Sequence, residues 1–202
     1  MLAIVVNTRL LQSMDLQVTL LLQSALPRSI DLPSSLLSLA GSAEGTVPVL
    51  ALLVFLSRPA IRIKLILLFA LLILLEVLGK MTINQPSPPD ELVRYVFRFG
   101  TPTGAISTPF SYPSGHAART SFLAVLAVAL IAQSRARPAT QRILIALVLA
   151  AAAVMLVSRV YIGDHWLSDV IGGTLLGTGL CLCAGLTDSG RESRIKSVGG
   201  GP

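Results

Sequence analysis

The sequence predicts an all-α membrane protein, a polytopic bundle of five transmembrane helices, or six if the amino-terminal segment also spans, with an amphipathic helix at the amino terminus. Of its 202 residues, 53% are hydrophobic and only 13% are charged. That balance argues against an ordinary soluble domain or a disordered chain. The charged residues also lie in short clusters between apolar stretches that approach the ~20 residues needed to cross a bilayer as a helix.

Five apolar stretches predict the spans. They are Ser34–Leu56, which has a glycine-rich break around residues 41–45, then Ile61–Gly79, Ala117–Ala132, Ile143–Val157 and Trp166–Leu186. A short basic link joins the first two, which indicates a helical hairpin. The last stretch carries glycines whose spacing is typical of close helix packing, namely Gly172, Gly173, Gly177 and Gly179.

The remaining segments are too polar to span. Residues 80–112 are rich in proline and polar residues and predict a structured extramembrane loop. In residues 1–33, Arg9 and Asp15 interrupt an apolar run, so this segment is expected to lie at the membrane interface, with a helix around Asp15–Ala25. Residues 34–186 then form the membrane-embedded unit, and residues 187–202 predict a disordered tail.

The distribution of charge predicts the orientation. The whole chain has a net charge of +6. Three segments are expected on the same side of the membrane, namely the links at residues 58–64 and 133–142 and the tail. Together they carry nine cations and two acids. Basic loops stay in the cytoplasm, so the carboxyl terminus is expected to be cytoplasmic and residues 80–116 extracytoplasmic. Because the cations sit in short clusters between membrane spans, no nucleic-acid partner is expected.

The only two histidines, His116 and His165, both lie where a predicted span begins on the extracytoplasmic side. His116 follows Ser114 and Gly115, and free amide groups at a helix start bind anions. His165 is followed four residues later by Asp169, a spacing that places both side chains on one face of a helix. A carboxylate in that position holds an imidazole in one tautomer and primes it as a nucleophile or base.

Two cations end predicted spans at the same level, Lys80 on the second and Arg159 on the fourth. Two imidazoles, a carboxylate, two cations and a helix start together suit phosphoryl transfer, in which negative charge must be stabilised while a nucleophile attacks. No acidic cluster has the spacing of a magnesium site, so neither a metal nor another cofactor is expected.

Three motifs give the chain a resemblance to the type 2 phosphatidic acid phosphatase (PAP2) family, which also includes vanadium haloperoxidases. The motif Pro-Ser-Gly-His is complete at residues 113–116, and Ser-Arg-x5-His-x3-Asp is complete at residues 158–169. The motif Lys-x6-Arg-Pro is partial at residues 80–88, where Ser87 replaces the arginine. The resemblance covers residues 80–173 and marks the integral membrane lipid phosphatase branch.

This resemblance implies metal-independent hydrolysis of a lipid phosphate or a polyprenyl diphosphate at the extracytoplasmic membrane face. His165, oriented by Asp169, would attack phosphorus and form a phosphohistidine, while His116 would protonate the leaving oxygen and then activate water. The implied phosphate ligands are Lys80, Ser114, Gly115 and Arg159. The expected partners are the lipid phosphate substrate and the surrounding membrane lipids.

Ser87 leaves alternatives open, because serine cannot supply the bidentate charged contact of arginine. Arg94 and Arg119 are candidate substitutes. The protein could instead be a catalytically altered lipid-phosphate-binding protein or a phosphotransferase. A vanadate-dependent haloperoxidase is a weaker alternative, since the soluble haloperoxidases are far larger than this chain.

Overall fold

The computed structural model describes residues 1–96 and 108–186, and within them the chain forms α-helices and no β-strand. The helices are α1 (Leu2–Asn7), α2 (Gln12–Ala25), α3 (Asp31–Gly41), α4 (Ala43–Leu56), α5 (Pro59–Thr82), α6 (Gly115–Gln133), α7 (Pro138–Tyr161) and α8 (Leu167–Leu182). The all-α prediction is therefore confirmed. The predicted disordered tail, residues 187–202, lies outside the described residues.

Two of the described helices, α6 and α7, are each long and apolar enough to cross a membrane. A third crossing is possible if α3 and α4, which meet at 55°, form one broken span. Helix α8 is apolar but shorter, and α5 is 24 residues long with charged side chains near both ends. The total of five spans remains a prediction.

The glycine-rich break predicted within Ser34–Leu56 is the bend between α3 and α4. Helix α3 ends at Gly41, and Ser42 caps the start of α4 by accepting a hydrogen bond from the amide of Gly45 at 3.1 Å. Because a helix start needs new acceptors for its free amide groups, a serine at this position favours restarting the helix in a new direction.

Helices α6 and α8 pack closely at the centre of the bundle, and two glycines of α8 make this possible. A Cβ atom on Gly173 would lie 2.3 Å from the carbonyl oxygen of Ser114, and one on Gly177 would lie 2.0 Å from that of Ala118. Gly172 is pressed in the same way against the ring of Tyr112. The prediction of close helix packing is confirmed for Gly173 and Gly177. Gly172 packs against a residue of the loop before α6 instead, and the prediction is wrong for Gly179, which faces open space.

The outside of the bundle is apolar as well as its core. Phe69 and Phe122 meet edge to face in the core, with their ring centroids 5.3 Å apart. On the outer surface, Leu52, Leu67 and Leu147 are each more than half exposed. Large apolar side chains spread over the exterior are expected where the solvent is lipid rather than water. Both the apolar surface and the composition are therefore those of a membrane protein.

Helix α2 forms where the amino-terminal helix is predicted, and it turns its polar face inward. Asp15, Thr19 and Gln23 follow one another at intervals of four residues and are buried, whereas Leu20 and Leu21 are exposed. The polar stripe of α2 therefore contacts the bundle. The interfacial position of residues 1–33 remains a prediction.

The packing of α6 against α8 predicts opposite results for two glycines of the same helix. Gly177→Ala should lower the free energy of unfolding by roughly 1–3 kcal/mol, because the new methyl group overlaps a backbone oxygen that cannot move away alone. Gly179→Ala is the matched control and should be neutral or stabilising by up to ~1 kcal/mol, since alanine favours a helix. Thermal unfolding in detergent would compare them, and equal melting temperatures would contradict this account of the interface.

Candidate active site

The turn between α7 and α8 places His165 at the end of the bundle. Helix α7 ends at Tyr161, and Gly163 then takes a positive φ of 69°, a conformation that favours glycine. A Cβ atom at Gly163 would also lie 2.3 Å from the carbonyl oxygen of Leu92. The glycine of the third motif is therefore required by the backbone, and it directs the chain back so that His165 immediately precedes α8.

His165 and Asp169 are in contact, although not through the helical geometry that their spacing suggests. The distance from Nδ1 of His165 to Oδ2 of Asp169 is 3.4 Å. His165 lies before the helix, and Asp169, in the first turn of α8, reaches back toward it while accepting a hydrogen bond from the amide of Trp166 at 3.0 Å. Asp169 is fully buried, and its Oδ1 has no hydrogen-bond partner among the described residues.

His116 lies in the first turn of α6, and its partner comes from α3. Its Nε2 is 3.1 Å from the carbonyl oxygen of Ser38 and 3.2 Å from the hydroxyl of the same residue. Ser114 caps α6, because its hydroxyl accepts from the amide of Ala117 at 3.4 Å. Its own amide donates to the carbonyl of Asp169 at 3.0 Å, which ties the starts of α6 and α8 together. Ser114 is fully buried.

Arg159 is fully buried and joins three parts of the chain. Its Nη1 donates to the hydroxyl of Ser38 at 2.7 Å and to that of Tyr95 at 3.1 Å, and its Nη2 donates to the carbonyl of Ser34 at 3.1 Å. Because Ser38 also contacts His116, one serine hydroxyl connects the guanidinium to an imidazole. The sequence analysis did not identify Ser38 or Tyr95.

Tyr95 belongs to the loop between α5 and α6 and offers a neutral donor to the site. Burial, and then the negative charge of Asp164, raise the pKa of the Tyr95 phenol above its ordinary value. The hydroxyl therefore stays protonated around neutral pH. No motif marks this residue, because its position depends on how the loop folds over α3 and α7.

Asp164 completes a cluster with the two histidines. Its Oδ2 lies 3.7 Å from Nη1 of Arg159 and 4.0 Å from Nε2 of His165. One ligand atom from each of His116, Asp164 and His165 lies within 4.8 Å of the others. Two imidazoles and a carboxylate are donors that zinc accepts. The guanidinium of Arg159, 3.7 Å from the same carboxylate, would repel a cation bound there.

Lys80 lies beside the start of α6 and is paired with Glu76. Its Nζ is 2.8 Å from Oε1 of Glu76, and Oε2 of the same carboxylate is 2.6 Å from Nη1 of Arg119. Glu76 also packs on Gly115, where a Cβ atom would lie 1.8 Å from Oε1. The predicted phosphate ligands Lys80 and Gly115 are thus neighbours, with a carboxylate between them.

The two candidate substitutes for the missing motif arginine differ in position. Arg94 donates to the carbonyl of Gln23 at 2.9 Å and to the hydroxyl of Tyr161 at 3.2 Å, and its guanidinium lies over the Tyr161 ring. It therefore holds the loop against α2 and α7. Arg119 instead shares Glu76 with Lys80. Ser87 itself is exposed.

Asp15 supports the first turn of α8 from the amino-terminal segment. Its Oδ1 accepts from the amide of Ser168 at 2.9 Å, and its Oδ2 accepts from the Ser168 hydroxyl at 2.7 Å and from Nε2 of Gln85 at 3.3 Å. Carboxylates are favourable at helix starts, where amide groups are unpaired. The carboxylate of Asp15 thus acts as a tertiary cap for the helix that carries Asp169.

Substituting Asp15 tests that support. Asp15→Ala should lower the free energy of unfolding by roughly 1–3 kcal/mol, because it leaves buried donors on α8 without an acceptor. Asp15→Asn keeps one acceptor oxygen and should lose less. Gln17→Ala, at an exposed position of the same helix, is the control and should melt like the native protein in detergent. If Asp15→Ala melted with the control, the cap would have no energetic importance.

Comparison with known proteins bears on the family and the fold of this chain. An undecaprenyl-diphosphatase from Sulfolobus acidocaldarius is 36% identical over 136 residues, which are 65% of this chain and 58% of that relative, so the chain spans less than two thirds of the relative's length. A solved structure, a transmembrane PAP2 type phosphatidylglycerolphosphate phosphatase from Bacillus subtilis, matches with a TM-score of 0.71 over 96% of this chain and 92% of that one. Its identity of 22% supports a common fold alone. Residues 61–188, more than half of the chain, match the PAP2 superfamily model, and this protein belongs to the PAP2 superfamily.

Proposed function

We propose that this protein is a metal-independent phosphatase that hydrolyses a lipid phosphate or a polyprenyl diphosphate through a phosphohistidine intermediate. The observation that carries the proposal is the convergence of His116 and His165 beside the buried guanidinium of Arg159, with Asp169 behind His165. The names of the two relatives, a diphosphatase and a phosphatase of lipid phosphates, support the same class of substrate.

In the proposed mechanism each histidine takes part in both steps. Because Nδ1 of His165 faces Asp169, Nε2 is the nitrogen that attacks phosphorus. A P–N bond forms as the bond from phosphorus to the leaving oxygen breaks, and His116 gives its proton to that oxygen, which belongs to the lipid alcohol or, in a diphosphate, to the lipid monophosphate. In the second step His116 takes a proton from water, the water oxygen bonds to phosphorus, the P–N bond breaks and inorganic phosphate leaves.

The phosphate oxygens meet donors from several elements in this proposal. Arg159 and Tyr95 supply donors on one side, and Lys80 and the amide of Gly115 supply them on the other. Preorganised donors of this kind stabilise the charge that develops on the transferred group. Ser114 contributes by capping α6, which holds the start of that helix and therefore its amide groups in place.

An apolar groove beside the site supports an amphiphilic substrate. It has a volume of about 320 Å³ and lies between the carboxyl-terminal turns of α2 and α7 and the amino-terminal half of α8. Val160, Leu167 and Val170 line it, and these residues are neighbours in sequence of Arg159, His165 and Asp169. The groove therefore begins at the level of the reacting phosphate, and we assign it to the hydrocarbon tail of the substrate.

The proposal places the site at the extracytoplasmic face and the carboxyl terminus in the cytoplasm. His116 begins α6, whereas the basic link that includes Arg135 and Arg137 follows the other end of that helix. Nineteen residues separate these ends, a length of about 28 Å. The excess of cations on the far side supports a cytoplasmic position for that link.

Phosphate release tests the proposed activity. The native chain in detergent with EDTA should release inorganic phosphate from a panel of lipid phosphates and diphosphates, and His165→Ala should abolish release because the nucleophile is gone. Gln17→Ala, at an exposed position, controls for losses during expression and purification and should retain activity. Release that needs a divalent metal would contradict the metal-independent mechanism, and binding without release would favour a non-catalytic lipid-phosphate-binding protein.

The groove predicts a dependence on tail length. Leu175→Trp should fill the groove at a position that is already 61% exposed, and should raise KM for a long-tailed substrate by about tenfold, equivalent to losing roughly two buried CH₂ groups. KM for a short, soluble phosphate ester should not change. Leu182→Trp, on the same helix and 60% exposed, is the matched control, and an equal effect of both substitutions would exclude the groove as the tail site.

A further inference from the structure

Glu76 is a buried carboxylate that the proposed mechanism does not use. Its side chain is only 7% exposed, although it lies near the end of a helix built almost entirely of apolar residues. It forms two ion pairs, at 2.8 Å with Lys80 and at 2.6 Å with Arg119. One carboxylate is thus shared by two cations that come from α5 and α6, so one positive charge of the three residues is not balanced within the group.

The same carboxylate lies directly against the start of α6. A Cβ atom on Gly115 would be 1.8 Å from Oε1, 2.3 Å from Cδ and 2.5 Å from Oε2 of Glu76. Any side chain at position 115 would therefore displace the carboxylate. The absence of a side chain there lets an anion reach the first turn of the helix, where unpaired amide groups and the helix dipole favour negative charge.

Lysine, arginine and an approachable helix start are the partners that a phosphate group needs. Lys80 is 20% exposed, so this group of residues opens toward the solvent side of the site. Arg119 follows His116 by three residues and thus lies on the same face of α6. In this structure the carboxylate of Glu76 supplies the negative charge between these cations.

We propose that Glu76 is an internal ligand of a phosphate subsite formed by Lys80, Arg119 and Gly115, and that the substrate phosphate displaces its carboxylate. Arg119 is then a substrate-binding residue and supplies the second cation that Ser87 does not. Glu76 holds Lys80 and Arg119 in place before the phosphate binds, and the positive charge that it leaves unbalanced attracts the phosphate. The identity of the substrate in this inference rests on the proposed function. The binding of a phosphate anion by these residues does not depend on it.

The binding of inorganic orthophosphate to the full-length native protein in detergent tests the subsite without requiring turnover. A ³¹P NMR titration would give the dissociation constant. Arg119→Gln should weaken binding by roughly tenfold or more, because it removes a charged donor. Glu76→Gln should tighten binding by about tenfold, because it removes the competing charge. A purely structural ion pair would not produce opposite changes.

Arg94→Gln is the matched control for the loss of a partly buried arginine. Its guanidinium binds Gln23 and Tyr161 instead of Glu76, so orthophosphate affinity should stay within about twofold of native, the scale of ordinary context effects. If Glu76→Gln does not fold, the double variant Glu76→Gln with Arg119→Gln removes the carboxylate together with one of its two cations. It should bind orthophosphate about tenfold more tightly than Arg119→Gln alone, because the competing charge is gone, and equal affinities of these two variants would contradict the proposal.

Two results would overturn the proposal. Unchanged or weaker orthophosphate binding by Glu76→Gln would show that its carboxylate does not compete with phosphate. Native affinity in Arg119→Gln would show that this guanidinium does not bind phosphate. These results are separate from the proposed activity, because a protein that releases no phosphate from lipids can still bind orthophosphate with this pattern, and an active phosphatase can lack it.

Discussion

The need to satisfy a fully buried guanidinium constrains the whole site. Burying an unpaired charge in an apolar bundle is so costly that every donor of Arg159 must find an oxygen. Those oxygens come from α3, from the loop before α6 and from α7 itself. Helix α3 and Tyr95 therefore serve the same purpose, because each brings acceptors to one side chain. The arrangement that satisfies Arg159 also brings Ser38 against His116.

A similar constraint explains the amino-terminal segment. Helix α2 turns Asp15, Thr19 and Gln23 inward and leaves leucines outside. In water that orientation would be unfavourable, but in lipid the apolar face belongs outside and polar groups must find partners within the protein. Asp15 finds them at the start of α8, next to Asp169. The segment thus supports the helix that carries Asp169, although the match to the PAP2 superfamily model begins only at residue 61.

The cations of the site are paired with carboxylates of the protein. Arg159 lies near Asp164, and Lys80 and Arg119 share Glu76. Separate carboxylates therefore accompany the cations that would meet phosphate. An arriving phosphate exchanges one set of ion pairs for another, which limits the cost of burying cations before the substrate binds.

The sequence by itself determined the helical fold, the membrane character, the positions of most helices and the residues of both complete motifs. Apolar runs are long enough to outweigh local propensity, and Gly163 and Gly177 are dictated by backbone contacts that few other residues tolerate. Only the tertiary structure decided that Ser38, Tyr95 and Asp15 join the site, because each comes from a distant segment and no local pattern marks it. Only the tertiary structure likewise distinguishes the contacts of Arg119 from those of Arg94. Both are arginines near the motifs, and only the packing of α5 against α6 places Glu76 beside one of them.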